Sequence, residues 1–198
     1  MKKFDFLRII FGGVSSLMLI LGLTIQDSNR VSSIVGFIAV FALIIFDINA
    51  DKIFKLSKDN PKVKTIKTVT TLNMGLVILV ALSMTLEPVR SVPKRNLDII
   101  IVLVLALYIM IFGNIAPKIP FNRYLGFRLP WTIRDEETWR TAHRLLGYTS
   151  FPIGIVMAIA SFYFNMEQVV LWAVALWILI PGVYSGYFYY KKMKKFVS

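Results

Sequence analysis

The residues that could do chemistry are crowded into positions 113 to 147 of this 198-residue chain, around its single histidine, His143. The same stretch holds Asp135, Glu136 and Glu137, the tryptophans Trp131 and Trp139, and Lys118, Arg123, Arg128, Arg134, Arg140 and Arg144. Zinc needs three or four His, Cys or carboxylate ligands. One histidine with Glu136 and Glu137 falls short, and the chain has no cysteine, so the expectation is no metal and no other cofactor. A general base needs only one imidazole. No serine or threonine in a nucleophile-type motif accompanies His143, however, and the expectation is a protein that is not an enzyme. Arg128 and Arg144 are different: a guanidinium can grip a carboxylate or phosphate through two parallel hydrogen bonds. His143 is then read as a fastener, hydrogen-bonding its own helix to the loop of residues 122–132.

The surrounding residues say how that stretch is shaped. Gly113 and Asn114 end an apolar run, and Pro117 and Pro120 keep the chain from re-entering a helix. Asn122 and Gly126 are turn formers, so 122–130, closing on Pro130, reads as a compact loop, with Phe127 and Trp131 dipping toward lipid headgroups. Thr132 followed three residues later by Asp135 matches a capping pattern, and Asp135, Glu136 and Glu137 favour a first turn, which predicts a short helix starting at Thr132. On it Trp139 and His143 share one face, and Arg140 and Arg144 a neighbouring one. Gly147 closes the stretch.

The elements that position this connector are apolar. The composition is 57% hydrophobic with a net charge of +12, and the apolar residues arrive in blocks near the roughly 20 residues that cross a bilayer. Six spans are predicted, at about 9–25, 31–49, 68–86, 97–114, 146–164 and 168–190. The fold class expected is therefore all-α: a polytopic bundle of six transmembrane helices with a polar cytoplasmic loop and short helix between helices 4 and 5. It is read as one integral membrane domain, with three N-terminal spans in 1–96 and the remainder in 97–198. Of the 23 lysines and arginines, only Arg30, Arg90, Lys94 and Arg95 fall on one side of this topology. Basic residues in short loops mark the inner face. Both termini and the polar loop are thus assigned to the cytoplasmic side of the membrane. The positive charge sits at span ends rather than on one patch, which argues against direct nucleic-acid binding and for attraction to anionic membrane lipids.

Smaller features complete the reading. Leu23 to Gln26 lacks a cleavage pattern, so the first helix is read as retained. Asp27, Ser28 and Asn29 would join spans one and two as a hairpin, and Glu87, Pro88, Pro93 and Asp98 frame a second outer loop. Asp47 is expected at the interface, hydrated or paired with Lys52, with a place in a polar cavity as the alternative. Residues 52–67 read as a solvated lysine-rich loop turning at Asp59, Asn60 and Pro61. Thr68, Thr70, Thr71 and Asn73 have structural roles, bonding across helices or back to their own carbonyls. Pro181 should bend the last helix. Gly182 and Gly186 form GxxxG, which serves either internal packing or a homodimer. Tyr184, Tyr187, Phe188, Tyr189 and Tyr190, followed by lysines, read as an interfacial anchor.

Gly113 and Asn114, then Asn122, Gly126, Arg128, Pro130, Trp131 and Thr132, then Trp139, Thr141, His143, Arg144 and Gly147 resemble the signature of the SdpI family of bacterial membrane proteins. The family pattern is approximately an Asn, a Gly-x-Arg-x-Pro-Trp-Thr block, and Trp-x-x-Thr-His-Arg-x-x-Gly. Here Ala142 stands between Thr141 and His143, and Leu129 replaces the Thr often found between the Arg and the Pro. The resemblance implies immunity to a secreted, membrane-active peptide toxin, a bacteriocin-like defence. It also implies signal transduction, with a cytoplasmic transcriptional repressor held at the membrane. The alternatives are a small transporter of a peptide or lipid-like substrate and a membrane-embedded hydrolase.

Overall fold

The computed structural model describes residues 6, 9–17, 20, 30–57, 60–85, 92–122 and 124–197. Every regular element among them is helical: residues 9–17, then α1 (Arg30–Ile48), α2 (Ala50–Ile53), α3 (Pro61–Thr85), α4 (Lys94–Ile115), a 3-10 turn (Ala116–Lys118), α5 (Glu136–Ala160) and α6 (Met166–Val197). The hairpin turn expected at Asp27 to Asn29, the outer-loop residues Glu87 and Pro88, and Asp59 and Arg123 lie outside the described residues.

Two of these helices differ in extent from the sequence expectation. The lysine-rich segment is mostly helix: Asn60 Oδ1 accepts the Lys62 N–H at 2.9 Å, Pro61 occupies the first helical position, and α3 therefore starts seven residues earlier than a hydropathy window places it. Lys62, Lys64 and Lys67 ride on its first turns. Likewise α5 is one continuous helix of 25 residues, in place of a short helix followed by a separate span. Nothing between Glu136 and Gly147 breaks a helix, and the charged residues merely make its first turns polar. Among the described residues three helical stretches are long and apolar enough to cross a membrane, Pro61–Ala81, Lys94–Lys118 and Met166–Lys195, and Ile34–Ile48 is a shorter apolar one.

The chain divides into two compact units at Leu97 and Asp98. In the first, α1 packs on α3 around Val40, Ile78 and Ala81, with Phe11, Val14 and Ile44 against them. A Cβ on Gly36 would stand 2.9 Å from that of Ala81, so the helices meet where α1 has no side chain. Asp47 is fully buried, which corrects the expectation of a hydrated interfacial anchor. The threonines bond back to their own helix, Thr68 Oγ1 to the Lys64 carbonyl and Thr70 Oγ1 to that of Ile66, both at 2.9 Å.

In the second unit α5 and α6 form a hairpin, and Val102, Ala106, Ile109, Met157, Val169 and Ala173 make its core with α4. The crossing of α4 and α5 is set by missing side chains. A Cβ on Gly113 would overlap Ser150, one on Gly147 would reach the Gly113 carbonyl at 2.9 Å, and one on Gly154 would meet Met110 Cγ at 2.6 Å. Ser150 then ties the third helix, accepting from Trp177 Nε1–H at 2.7 Å while its own hydroxyl donates to the Leu146 carbonyl.

This crossing predicts a contrast between two glycine substitutions. Gly113→Ala has to displace Ser150, a strain of about 1–3 kcal/mol, whereas Gly75→Ala, with nothing within 4 Å, gains up to about 1 kcal/mol of helix propensity. Thermal unfolding in detergent should show the first variant melting lower than wild type and the second no lower.

Candidate functional site

The connector between α4 and α5 is built on Asn122 and Gly126. Asn122 makes four hydrogen bonds: Oδ1 accepts from the N–H groups of Tyr124 (2.7 Å) and Leu125 (2.6 Å), and Nδ2 donates to the carbonyls of Pro120 (2.7 Å) and Leu125 (2.8 Å). The amide's capacity is spent inside the loop. Gly126 has φ of +118°, a conformation L side chains rarely adopt, and a Cβ there would lie 2.6 Å from His143 Nε2 and 2.9 Å from Trp139 Cη2. Only glycine serves, for both reasons.

That close approach lets the next residue reach the histidine. The Phe127 N–H donates to His143 Nε2 at 3.0 Å. A backbone N–H can only donate, so Nε2 carries no proton; Nδ1 carries it and donates to the Trp139 carbonyl at 2.9 Å. His143 therefore fastens α5 to the loop, as its sequence context predicted. The ring is 1% exposed and stacks on Trp139 with centroids 4.1 Å apart. Trp139 is equally buried, meets Phe121 edge-on, and donates its indole N–H to the Ile119 carbonyl at 3.2 Å.

Thr132 has a different role from the one expected. Its buried hydroxyl accepts the Leu129 N–H at 2.8 Å and points its proton toward the carbonyls of Phe127 and Leu129. It closes a turn over 130–134 that Pro130 opens with its fixed φ, and α5 does not begin there. The cap is Asp135, in extended conformation (φ −139°, ψ 122°), whose Oδ2 accepts both the N–H (2.9 Å) and the hydroxyl (2.6 Å) of Thr138.

The far helix completes the arrangement. Trp131 donates its indole N–H to Ser185 Oγ at 3.0 Å and lies on Gly186, while Leu129 and Phe127 lie against Gly182. The aromatic pair expected to dip toward headgroups thus packs on α6, and the GxxxG glycines serve internal packing. Lys192, 57 residues from Asp135, donates to Asp135 Oδ1 at 2.7 Å and to Glu137 Oε2 at 2.8 Å. Ser185 and Lys192 escaped sequence reasoning, because no spacing links one helix end to a residue more than fifty positions away.

The predicted site residues fall into three groups. Asn122, Gly126, Pro130, Trp131, Thr132, Trp139 and His143 come together as the loop and its fastening, and Gly147 belongs to the helix crossing beneath. Arg128 and Arg144 are exposed, each next in sequence to one partner of the Phe127–His143 bond. Arg140 is exposed too and pairs with Glu136 at 2.7 Å. Asn114 is exposed at the end of α4, apart from the cluster. Among the described residues no group of three His, Cys, Asp or Glu could hold a metal ion.

Burial holds His143 well below the usual imidazole range, to about 4, against the opposing pull of the Trp139 carbonyl. In the unfolded chain the ring takes up its proton below about 6.5, so between these values the unfolded state binds more protons. Stability is intact above about pH 6.5 and falls by on the order of 3 kcal/mol as the pH drops through this window. Burial raises the pKa of Asp135, but bonds from Lys192 and Thr138 outweigh it and hold the carboxyl below its ordinary value, so its loss of stability comes at still lower pH. Melting temperature in detergent should therefore decline from pH 6.5 to 4.5 in the wild type. In His143→Gln, whose acceptor does not titrate, that decline should flatten; an equal decline would place the titrating group elsewhere.

A family model described as the SdpI/YfhL protein family matches residues 118–185. The chain is 29% identical over 138 residues to the immunity protein SdpI of Bacillus subtilis (strain 168), a match covering 69% of this chain and 66% of that protein. No solved structure matches. The residues matched by the family model run from the end of the 3-10 turn through the loop and α5 to the Ser185 that holds Trp131, so the similarity to the SdpI/YfhL proteins falls on the connector and the two helices that follow it.

Proposed function

We propose that this chain is a multi-pass protein of a bacterial inner membrane that protects the cell from a secreted, membrane-active peptide toxin. The likeness to an immunity protein carries the reading, because the matched segment is the one that folds into the fastened connector. The topology that fits has six spans with both termini cytoplasmic. Three of these rest on helices long and apolar enough to cross, and the side rests on the distribution of lysine and arginine. Toxin meets the bundle or its outer loops, and the connector faces the cytoplasm.

In this reading the connector is a rigid mount for Arg128 and Arg144. Its buried members spend their polar groups on one another: both ring nitrogens of His143 are committed to backbone groups, which leaves no lone pair for a general base. The two exposed arginines are what a partner can touch, and the complementary surface is acidic, as on a cytoplasmic repressor held at the membrane for signalling.

Arg128→Ala and Arg144→Ala change exposed positions and should leave the unfolding free energy within about 0.5 kcal/mol of wild type. His143→Ala strands the Phe127 N–H and should cost about 1–3 kcal/mol. The test is survival of a Bacillus subtilis strain lacking its SdpI immunity protein when it is exposed to the peptide toxin against which SdpI protects. Wild type should protect. If the arginine variants fold normally and lose either protection or repressor recruitment to membranes, the mount carries function. Full protection and recruitment in both would reduce the connector to a plug. No protection by the wild type would remove the immunity reading.

A further inference from the structure

The end of α6 carries a groove from which the fastened connector draws only Lys192 and Glu137. Tyr184, Tyr187, Phe188, Lys191, Lys192 and Lys195, with Glu137 of α5, line a cavity of about 370 Å³. Tyr184, Phe188, Lys191 and Lys195 step by four, three and four residues, which places them on one helical face. At 1.5 Å per residue the stripe is about 16 Å long, apolar and aromatic at one end and cationic at the other. It lies at the end of a stretch, Met166–Lys195, apolar enough to cross a bilayer, where aromatic rings sit at headgroup depth and lysines just beyond.

The charges in the cavity are unevenly committed. Lys192 is shared between Asp135 and Glu137. Among the described residues no carboxylate pairs with Lys191 or Lys195, so two exposed lysines one helical turn apart line the cavity uncommitted. The rings below them are open as well, Tyr184 being 51% and Tyr187 62% exposed. A small anion would use the lysines and leave the aromatic wall wet; an apolar chain would use the wall and leave the lysines unmatched. An amphiphile with an anionic head uses both. We propose that this groove holds one anionic phospholipid, its phosphate between Lys191 and Lys195 and its first acyl carbons along Tyr184, Tyr187 and Phe188.

The test is native mass spectrometry of the purified full chain in detergent with equal amounts of phosphatidylglycerol and phosphatidylcholine. A lysine near an anionic surface contributes roughly fivefold to association, so wild type should retain phosphatidylglycerol about 20-fold over phosphatidylcholine. Lys191→Gln with Lys195→Gln should bring the ratio near one, and Lys191→Glu alone should lower it at least about fivefold. Lys194→Gln, outside the groove, should leave the ratio within about twofold, and melting temperatures should be unchanged because all three positions are exposed. Equal retention of both lipids by wild type, or an equal loss in Lys194→Gln, would overturn the site. Displacement of the lipid by millimolar inorganic phosphate would assign the groove to a free anion and overturn the lipid. None of these readouts involves toxin, so the outcome is separate from the immunity reading.

Discussion

The hydrogen bond from the Phe127 N–H to His143 Nε2 is the contact on which the connector depends. It can form only because Gly126 has no Cβ and tolerates a positive φ, which brings the loop backbone onto the imidazole. It also requires a neutral ring in one tautomer, which the carbonyl of Trp139, one turn back on the same helix, selects by taking the proton on Nδ1. The stacked indole of Trp139 excludes water from this bond and is itself tied to the Ile119 carbonyl at the exit of α4. One bond thus holds three pieces of chain in register: the turn after α4, the loop, and the first turns of α5.

The second constraint is how closely the helices beneath can approach. Within a bilayer there is no hydrophobic drive to press helices together, and interhelical hydrogen bonds are individually modest, about 0.6 kcal/mol on average. Small residues then decide the geometry. Gly113, Gly147, Ser150 and Gly154 remove side chains along the α4 and α5 contact, and Ser150 doubles as the acceptor for Trp177 of α6. Because Gly147 lies one turn beyond His143 on α5, the axis of that helix is fixed just below the ring that receives the loop. The fastening is accurate because its helix has no room to shift.

Which of this was legible in the sequence follows from range. Periodicity and hydropathy place α1, α4 and α6 nearly where they are, and the spacing of Trp139 and His143 puts both rings on one face, because such signals are local. The first turns of α3 were missed because their lysines were read as a mark of loop, yet Asn60 caps a helix whose opening turns are charged. Over the first turns of α5 a helix was expected, and what local signals did not show is that it runs on unbroken into the following span. The assignment of the cap to Thr132 failed because its hydroxyl had a rival use inside the turn. Trp131 illustrates the deeper limit. Its ring carries an interfacial signature in sequence, and only the presence of Ser185 and Gly186 opposite it shows that the half-buried ring packs against α6.

Asp135 is where the local and the distant parts of the arrangement meet. One carboxylate oxygen caps α5 through Thr138, one residue before Trp139, and the other accepts from Lys192 at the far end of α6. The same ammonium also reaches Glu137, which is 63% exposed and so the weaker hold, surface pairs being worth about 0–1 kcal/mol. Asp135 is the better-defined partner because its second oxygen is pinned by two bonds from Thr138. Displacing the end of α6 therefore pulls first on a helix cap, and through that cap on the turn that carries Trp139 and His143. A connector fastened this way has few soft internal motions, and Arg128 and Arg144, which flank its central bond from outside, can change their presentation chiefly when that whole assembly moves.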